Sequence, residues 1–247
     1  MPLRIFRLRT LTGSNASALI ATGAVFSQFF LLTLYMQQVL HYSALKTGVA
    51  YISLTLTTIA LSAVAQGLVT KLGVRTVLPV GLGLSTVALV LFAQLPVDGH
   101  YFWDLFPGFV ISGLGLAFVF IPVSIGALTG VRPADAGIAS GLISTSQQIG
   151  GAIGVAAATT IATTSTNHYL NSHAGSSAFS GAALTHGFSI AFYALAGTAA
   201  VGALLAALLI ESQPAQVEPA DRAGEQPCTS SWTPEVGNAA LKTGSAA

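Results

Sequence analysis

Apolar residues fall in six long runs along this chain, and most of the charge lies outside the runs, chiefly in the two ends of the chain. The runs are Asn15–Gln38, Thr47–Val69, Val74–Leu95, Asp104–Thr129, Ala134–Thr163 and His186–Ile210. Each reaches the roughly 20 residues that a helix needs to cross the hydrocarbon core of a bilayer. Lipid offers the backbone no hydrogen-bond partner, so each run is predicted to be helical. The pattern therefore predicts an all-α membrane protein: a lead-in over 1–14, six transmembrane helices over 15–210 and a tail over 211–247. The tail holds four of the ten prolines and five of the eight acidic residues, and its apolar positions show no period. Such a segment cannot bury enough apolar surface to fold, and it is predicted to be disordered.

The fifth run is the least ordinary. Wound at about 100° per residue, it places Ile138, Leu142, Ile149 and Ile153 within about 60° of one another. The opposite half carries Gly137, Ser140, Gly141, Ser144, Gln147, Gln148, Gly150, Gly151 and Gly154. One face suits lipid and the other is small and polar. Gly137–Gly141 and Gly150–Gly154 repeat the spacing that lets helix backbones approach closely in a membrane, so these glycines and Gly151 are predicted to pack against a neighbour. Gln147 and Gln148 at membrane depth need either a partner or a wet cavity. Interhelical hydrogen bonding and contact with a substrate path both answer that need.

The same two readings apply to Gln28 and Tyr35 in the first run, which lie seven residues apart and so on one helix face, with an interfacial anchor as a further reading for Tyr35. Between the second and third runs, QGLVTKLGVR sets Gly73 for a tight turn, with Lys71 and Arg75 placed to meet phosphate headgroups or helix carbonyls. In the fourth run Pro122 removes a hydrogen bond to the Phe118 carbonyl, which predicts a kink, either a gating bend or a static packing feature. The sixth run is mostly Ala, Gly and Leu and reads as packing.

Composition narrows the class. Of 247 residues, 53% are hydrophobic and 7% charged, where soluble domains carry about 25% charged residues. Soluble-enzyme readings drop out. The scattered basic residues give no nucleic-acid surface, and no metal-ligand cluster or cofactor motif appears. A lone cysteine, Cys228, excludes an intrachain disulfide. The basic start MPLRIFRLRT precedes an apolar run too long for a signal peptide, which is read as a retained helix. With six spans, Arg4, Arg7, Arg9, Lys71, Arg75, Arg132, Arg222 and Lys242 share one side and only Lys46 falls on the other. Positive charge marks the cytoplasmic side, so both the lead-in and the tail are predicted to be cytoplasmic. No Asp, Glu, Lys or Arg lies in the interior of a run.

The stretch GIASGLISTSQQIGGAIGVA resembles the penultimate membrane helix of the fourteen-helix drug:proton antiporters, a branch of the major facilitator superfamily. Gly137, Ala139, Ser140, Gly141, Gln148, Gly150, Gly151, Gly154 and Ala156 carry the likeness. Gln147 stands where that branch often has arginine. LTLYMQQVLHYSALKTGVAYI is similar to another helix–loop–helix of the branch, with His41 in place of a common glycine and Ala44 in place of a proline. QGLVTKLGVR is similar to its cytoplasmic loop motif at Leu68, Lys71, Gly73 and Arg75, with Gln66 and Thr70 replacing a glycine and an acid. GLGLAFVFIPVSIGALTGVRPADAG resembles the run joining its fourth and fifth helices of this half.

The likeness covers about Leu3–Ile210 but only the last six helices of the family pattern. It implies two inverted three-helix repeats, half of a major facilitator fold. It also implies multidrug efflux by proton antiport in the plasma or inner membrane, small apolar or cationic substrates, and coupling acids in a first half not present here. Met1 is then expected to begin a truncated or split reading frame, partnered by a separate N-terminal half or a second copy. The cavity residues expected on this reading are Gln28, Tyr35, Gln147 and Gln148. A non-transporting fragment or subunit that needs such a half is the alternative. A six-span serine protease fits poorly, because Ile138 stands two before Ser140 where glycine belongs and His186 lies at a run's end.

Overall fold

The computed structural model describes residues 9–128, 136–172 and 181–209, all within the unit Met1–Ala215. The predicted tail lies outside the described residues, as do Arg4, Arg7, Arg132 and His173. Every described element is helical. Helix α1 (Arg9–Leu34) ends in one wider, π-helical turn over Tyr35–Val39. The short α2 (Ala44–Ala50) and α3 (Ile52–Leu72) form one apolar span interrupted at Tyr51. Helix α4 covers Val74–Ala93, a second π-helical turn over Tyr101–Leu105 leads into α5 (Phe106–Leu128), and α6 (Ala136–Ser172) and α7 (Gly181–Leu209) follow.

Two boundaries differ from the sequence pattern. Helix α1 is already helical at Arg9, within the predicted lead-in. Helix α6 runs on past Thr163 through residues expected to form a loop. The hydroxyls of Thr159, Thr163, Thr166 and Ser172 each bond a carbonyl of the preceding turn. Their polarity is satisfied on the helix itself, so polar composition does not end it.

Five of the six predicted spans are long and apolar enough to cross a membrane: Leu19–Val39, Ala44–Leu72, Val74–Ala93, Tyr101–Ile125 and Gly181–Ala207. Helix α6 has 37 residues but is not among them. Its Gly, Ser, Thr and Gln lower its hydropathy, yet it packs along α1 and α7 on one face.

The helix pairings reveal an internal repeat. Helix α1 packs on α6, α7 and α5, α4 packs on α5 and α7, α3 packs on α5 and α4, and α6 packs on α7. Exchanging α1 with α5, α3 with α6 and α4 with α7 maps each of these pairings onto another or onto itself, while a lesser contact of α5 with α6 has no counterpart of like extent between α1 and α3. Each set holds three of the long helices, the grouping expected of a three-helix repeat.

The core is a chain of aromatic rings. Centroids step from Phe29 to Tyr51 (5.1 Å), Phe109 (5.2 Å), Phe92 (5.6 Å) and Phe192 (5.9 Å), linking α1, the break between α2 and α3, α5, α4 and α7. Tyr51 marks the break before α3 and is held there: its hydroxyl donates to the Phe29 carbonyl (2.9 Å) and lies 3.0 Å from the Thr33 hydroxyl.

Two turns need an unusual backbone. Gly73 joins α3 to α4 at φ 78°, ψ 163°, and its N–H bonds the Val69 carbonyl at 2.9 Å. A side chain there is strained, so Gly73→Ala is expected to cost about 1–3 kcal/mol, read as a lower thermal midpoint with unchanged helicity. His41 holds φ 53°, the conformation that glycine adopts most freely. Ser43 then caps α2 by accepting from the Lys46 N–H, and Ala44 is the first helical residue, a position that suits proline equally well.

Candidate functional site

The polar and small residues singled out on α1 and α6 are distributed over three environments. The first is the crossing of the two helices. A Cβ built on Gly154 would lie 2.5 Å from the Gly23 carbonyl oxygen, and one on Gly23 would lie 2.9 Å from the Gly150 carbonyl oxygen. A Cβ on Gly150 would strike the Leu19 carbonyl, and one on Gly151 would meet the Phe26 ring at 3.1 Å. The backbones touch at Gly23, Gly150 and Gly154, where glycine leaves no side chain to hold them apart. Gly137 and Gly141 differ: a Cβ on either would meet nothing within 4 Å. The five glycines therefore divide into three that face α1 and two that face open space among the described residues.

The second environment is the bundle interior. Gln28 is buried and donates from Nε2 to the Ser112 hydroxyl at 2.6 Å, tying α1 to α5. Tyr35 is also buried, and its hydroxyl donates to the Pro96 carbonyl at 2.5 Å, tying the end of α1 to the segment after α4. Interhelical bonds of this kind average about 0.6 kcal/mol in membranes. Only a space of about 10 Å³ adjoins Gln28, Ser85 and Leu89, too small for a ligand.

The third environment is the open face of α6. Gln147 is half-buried and Gln148 exposed. Neither has a hydrogen-bond partner among the described residues. The structure thus does not bring Gln28 and Tyr35 together with the two glutamines of α6. Ile138, Ile149 and Ile153 are exposed on the same helix.

At the α3–α4 turn, Lys71 and Arg75 are exposed on either side of Gly73. Pro122 lies inside α5, which is continuous across it. Sequence reasoning missed Ser112, since a single serine in ISGLGLA carries no sign of its distant partner. It also missed the Ser189 hydroxyl, which donates to the Ala93 carbonyl at 2.5 Å and fastens α7 to α4. Two further recesses open between α1, α6 and α7. One of about 210 Å³ is lined by apolar and small residues around Gly23 and Gly154, and one of about 270 Å³ has a more polar lining.

Residues 2–155 match the sequence model of the Major Facilitator Superfamily. The puromycin resistance protein of Streptomyces alboniger is 33% identical over 208 residues, 83% of this chain and 41% of that protein. The lincomycin resistance protein of Streptomyces lincolnensis is 31% identical over 156 residues, 63% of this chain and 32% of that protein. A multidrug resistance protein B homolog of Mycobacterium tuberculosis is 30% identical over 167 residues, 67% of this chain and 31% of that protein. The chain spans less than half the length of these curated relatives. With its all-helical membrane bundle and its family match over 2–155, the chain belongs to the major facilitator superfamily.

Proposed function

We propose that the chain is the C-terminal half of a multidrug-type efflux transporter of the cell membrane, with both termini in the cytoplasm. In this reading it works against a separate N-terminal half or a second copy. Substrates are small and apolar or cationic, and binding near the bilayer midplane is followed by rocking of one bundle against the other. The names of the relatives, resistance to puromycin, lincomycin or several drugs, support a small organic substrate. Proton coupling would use acids supplied by the other half, since the runs of this chain hold none in their interiors.

The observation that carries the reading is the surface left on the two symmetry-related helices α3 and α6. Helix α3 and its neighbour α2 expose Leu45, Val49, Ile52, Leu56, Ile59 and Val64. Helix α6 exposes Gln148 and leaves Gly137 and Gly141 bare. Lipid suits the first surface, but an unpartnered amide and bare helix backbone at membrane depth call for water or a partner. Gln147 and Gln148 then line the substrate path, while Gln28 and Tyr35 support it from behind.

Replacing both Gln147 and Gln148 by alanine, with the N-terminal half co-expressed, is expected to lower ethidium efflux about tenfold, the equivalent of about 1.4 kcal/mol. Membrane levels should not change. Unaltered efflux and unaltered drug range in that variant would remove the two glutamines from the path.

A further inference from the structure

The recess of about 270 Å³ between α1, α6 and α7 has a chemistry of its own. It lies at the ends of spans: Gln38 is one residue from the end of Leu19–Val39, and Leu184 is three residues into Gly181–Ala207. That level of a bilayer is where headgroups meet the hydrocarbon. One part of its wall is apolar, with Leu31, Leu34 and Phe188, and the other is polar, with Gln38, Asn167 and three threonines.

The threonines are committed in one direction. Thr159 donates to the Val155 carbonyl (2.7 Å), Thr163 to the Thr159 carbonyl (2.9 Å) and Thr166 to the Ala162 carbonyl (2.8 Å). Each hydroxyl has a single proton, so what remains to a visitor is the oxygen as acceptor. The amides of Gln38 and Asn167 are exposed and have no hydrogen-bond partner among the described residues, so they offer both donors and acceptors. No lining residue is charged. An ammonium or phosphate entering the recess would lose water with no counter-charge to replace it. The volume falls just below the roughly 300 Å³ at which drug-sized pockets begin, and suits one ring-sized group.

We propose that this recess binds an uncharged, hydroxyl-rich group carried on an apolar chain, an alkyl or acyl glycoside being the simplest example. The sugar hydroxyls donate to the threonine oxygens and accept from the amides, and the chain lies along Leu31, Leu34 and Phe188. The group can come from a glycolipid headgroup in the surrounding leaflet or from a free glycoside. The site uses α1, α6 and α7 of this chain alone and does not rest on the transport reading.

The test uses the full chain in phosphatidylcholine vesicles, with Cys228→Ser and Thr163→Cys, and follows the rate at which a maleimide labels the new thiol. Octyl glucoside below its micelle concentration is expected to slow labelling saturably by about tenfold. Octyltrimethylammonium, with the same chain and a cationic head, is expected to leave the rate within a factor of about two. Adding Gln38→Leu and Asn167→Leu, both at exposed positions, should raise the half-protecting glucoside concentration about tenfold with helicity unchanged. Protection by a few mole per cent of glucosyl diacylglycerol in the vesicle, stronger than by the free glucoside, assigns the site to a lipid; the reverse order assigns it to a free glycoside. Equal protection by the cationic and sugar heads, or none by either sugar probe, overturns the proposal.

Discussion

Gly154→Leu is expected to prevent stable assembly of the bundle, while Gly141→Leu on the same helix leaves it intact. At Gly154 the first side-chain carbon alone would sit 2.5 Å from the Gly23 carbonyl oxygen and 2.6 Å from its Cα. Both are backbone atoms, so no rotamer change relieves the overlap and the helices must separate. Overpacking a tight interior costs about 1–3 kcal/mol and sometimes more. Four added carbons at a backbone contact belong at the upper end of that range. Gly150 and Gly23 take part in the same crossing and would lose their contacts as well. Gly141 has nothing within 4 Å of its built Cβ, so a leucine there meets open space. Membrane level, monodispersity after extraction and resistance to proteolysis report the difference. A Gly154→Leu protein as well assembled as the parent would show that α1 and α6 do not cross at these residues.

The second large effect is expected at the α4–α5 contact. Pro122 has no N–H, so the Phe118 carbonyl lacks its usual partner within α5. That carbonyl faces Gly81 of α4: a Cβ on Gly81 would lie 2.5 Å from both its carbon and its oxygen. The Ser85 hydroxyl donates to the Gly81 carbonyl at 3.0 Å, and a Cβ on Gly115 would lie 2.5 Å from that hydroxyl oxygen. Proline, glycine and serine thus form one close seam between the helices. Gly81→Val should cost about 3 kcal/mol, the upper part of the usual range for overpacking, and lower the thermal midpoint by several degrees. Its effect should exceed that of Val87→Ala, an exposed position on α4. A Gly81→Val protein with an unchanged midpoint would mean that the seam is looser than the geometry requires.

The helical architecture was legible because the bilayer imposes it: a run long enough to span has no alternative to a helix. What the pattern could not supply was the identity of partners. Gly137–Gly141 and Gly150–Gly154 have the same spacing, yet only the second meets α1, because Gly23 lies opposite it. Gln28 and Tyr35 share a helix face, as their spacing requires, but their partners, Ser112 and Pro96, lie 84 and 61 positions away. No local rule names a contact at that separation. The end of α6 was misplaced for the opposite reason, since threonine and serine look like loop residues but bond back onto their own helix. Helix α6 also departs most from a simple apolar span.

Dye efflux in an efflux-deficient host tests the central claim most directly. The chain is expressed alone and then with an eight-helix N-terminal half, and ethidium retention is followed in each. Retention with the chain alone and expulsion with both halves is the predicted result. Efflux by the chain alone would mean that two copies suffice and would contradict the need for a separate half that supplies the coupling acids, and retention even with both halves present would contradict its role in ethidium efflux.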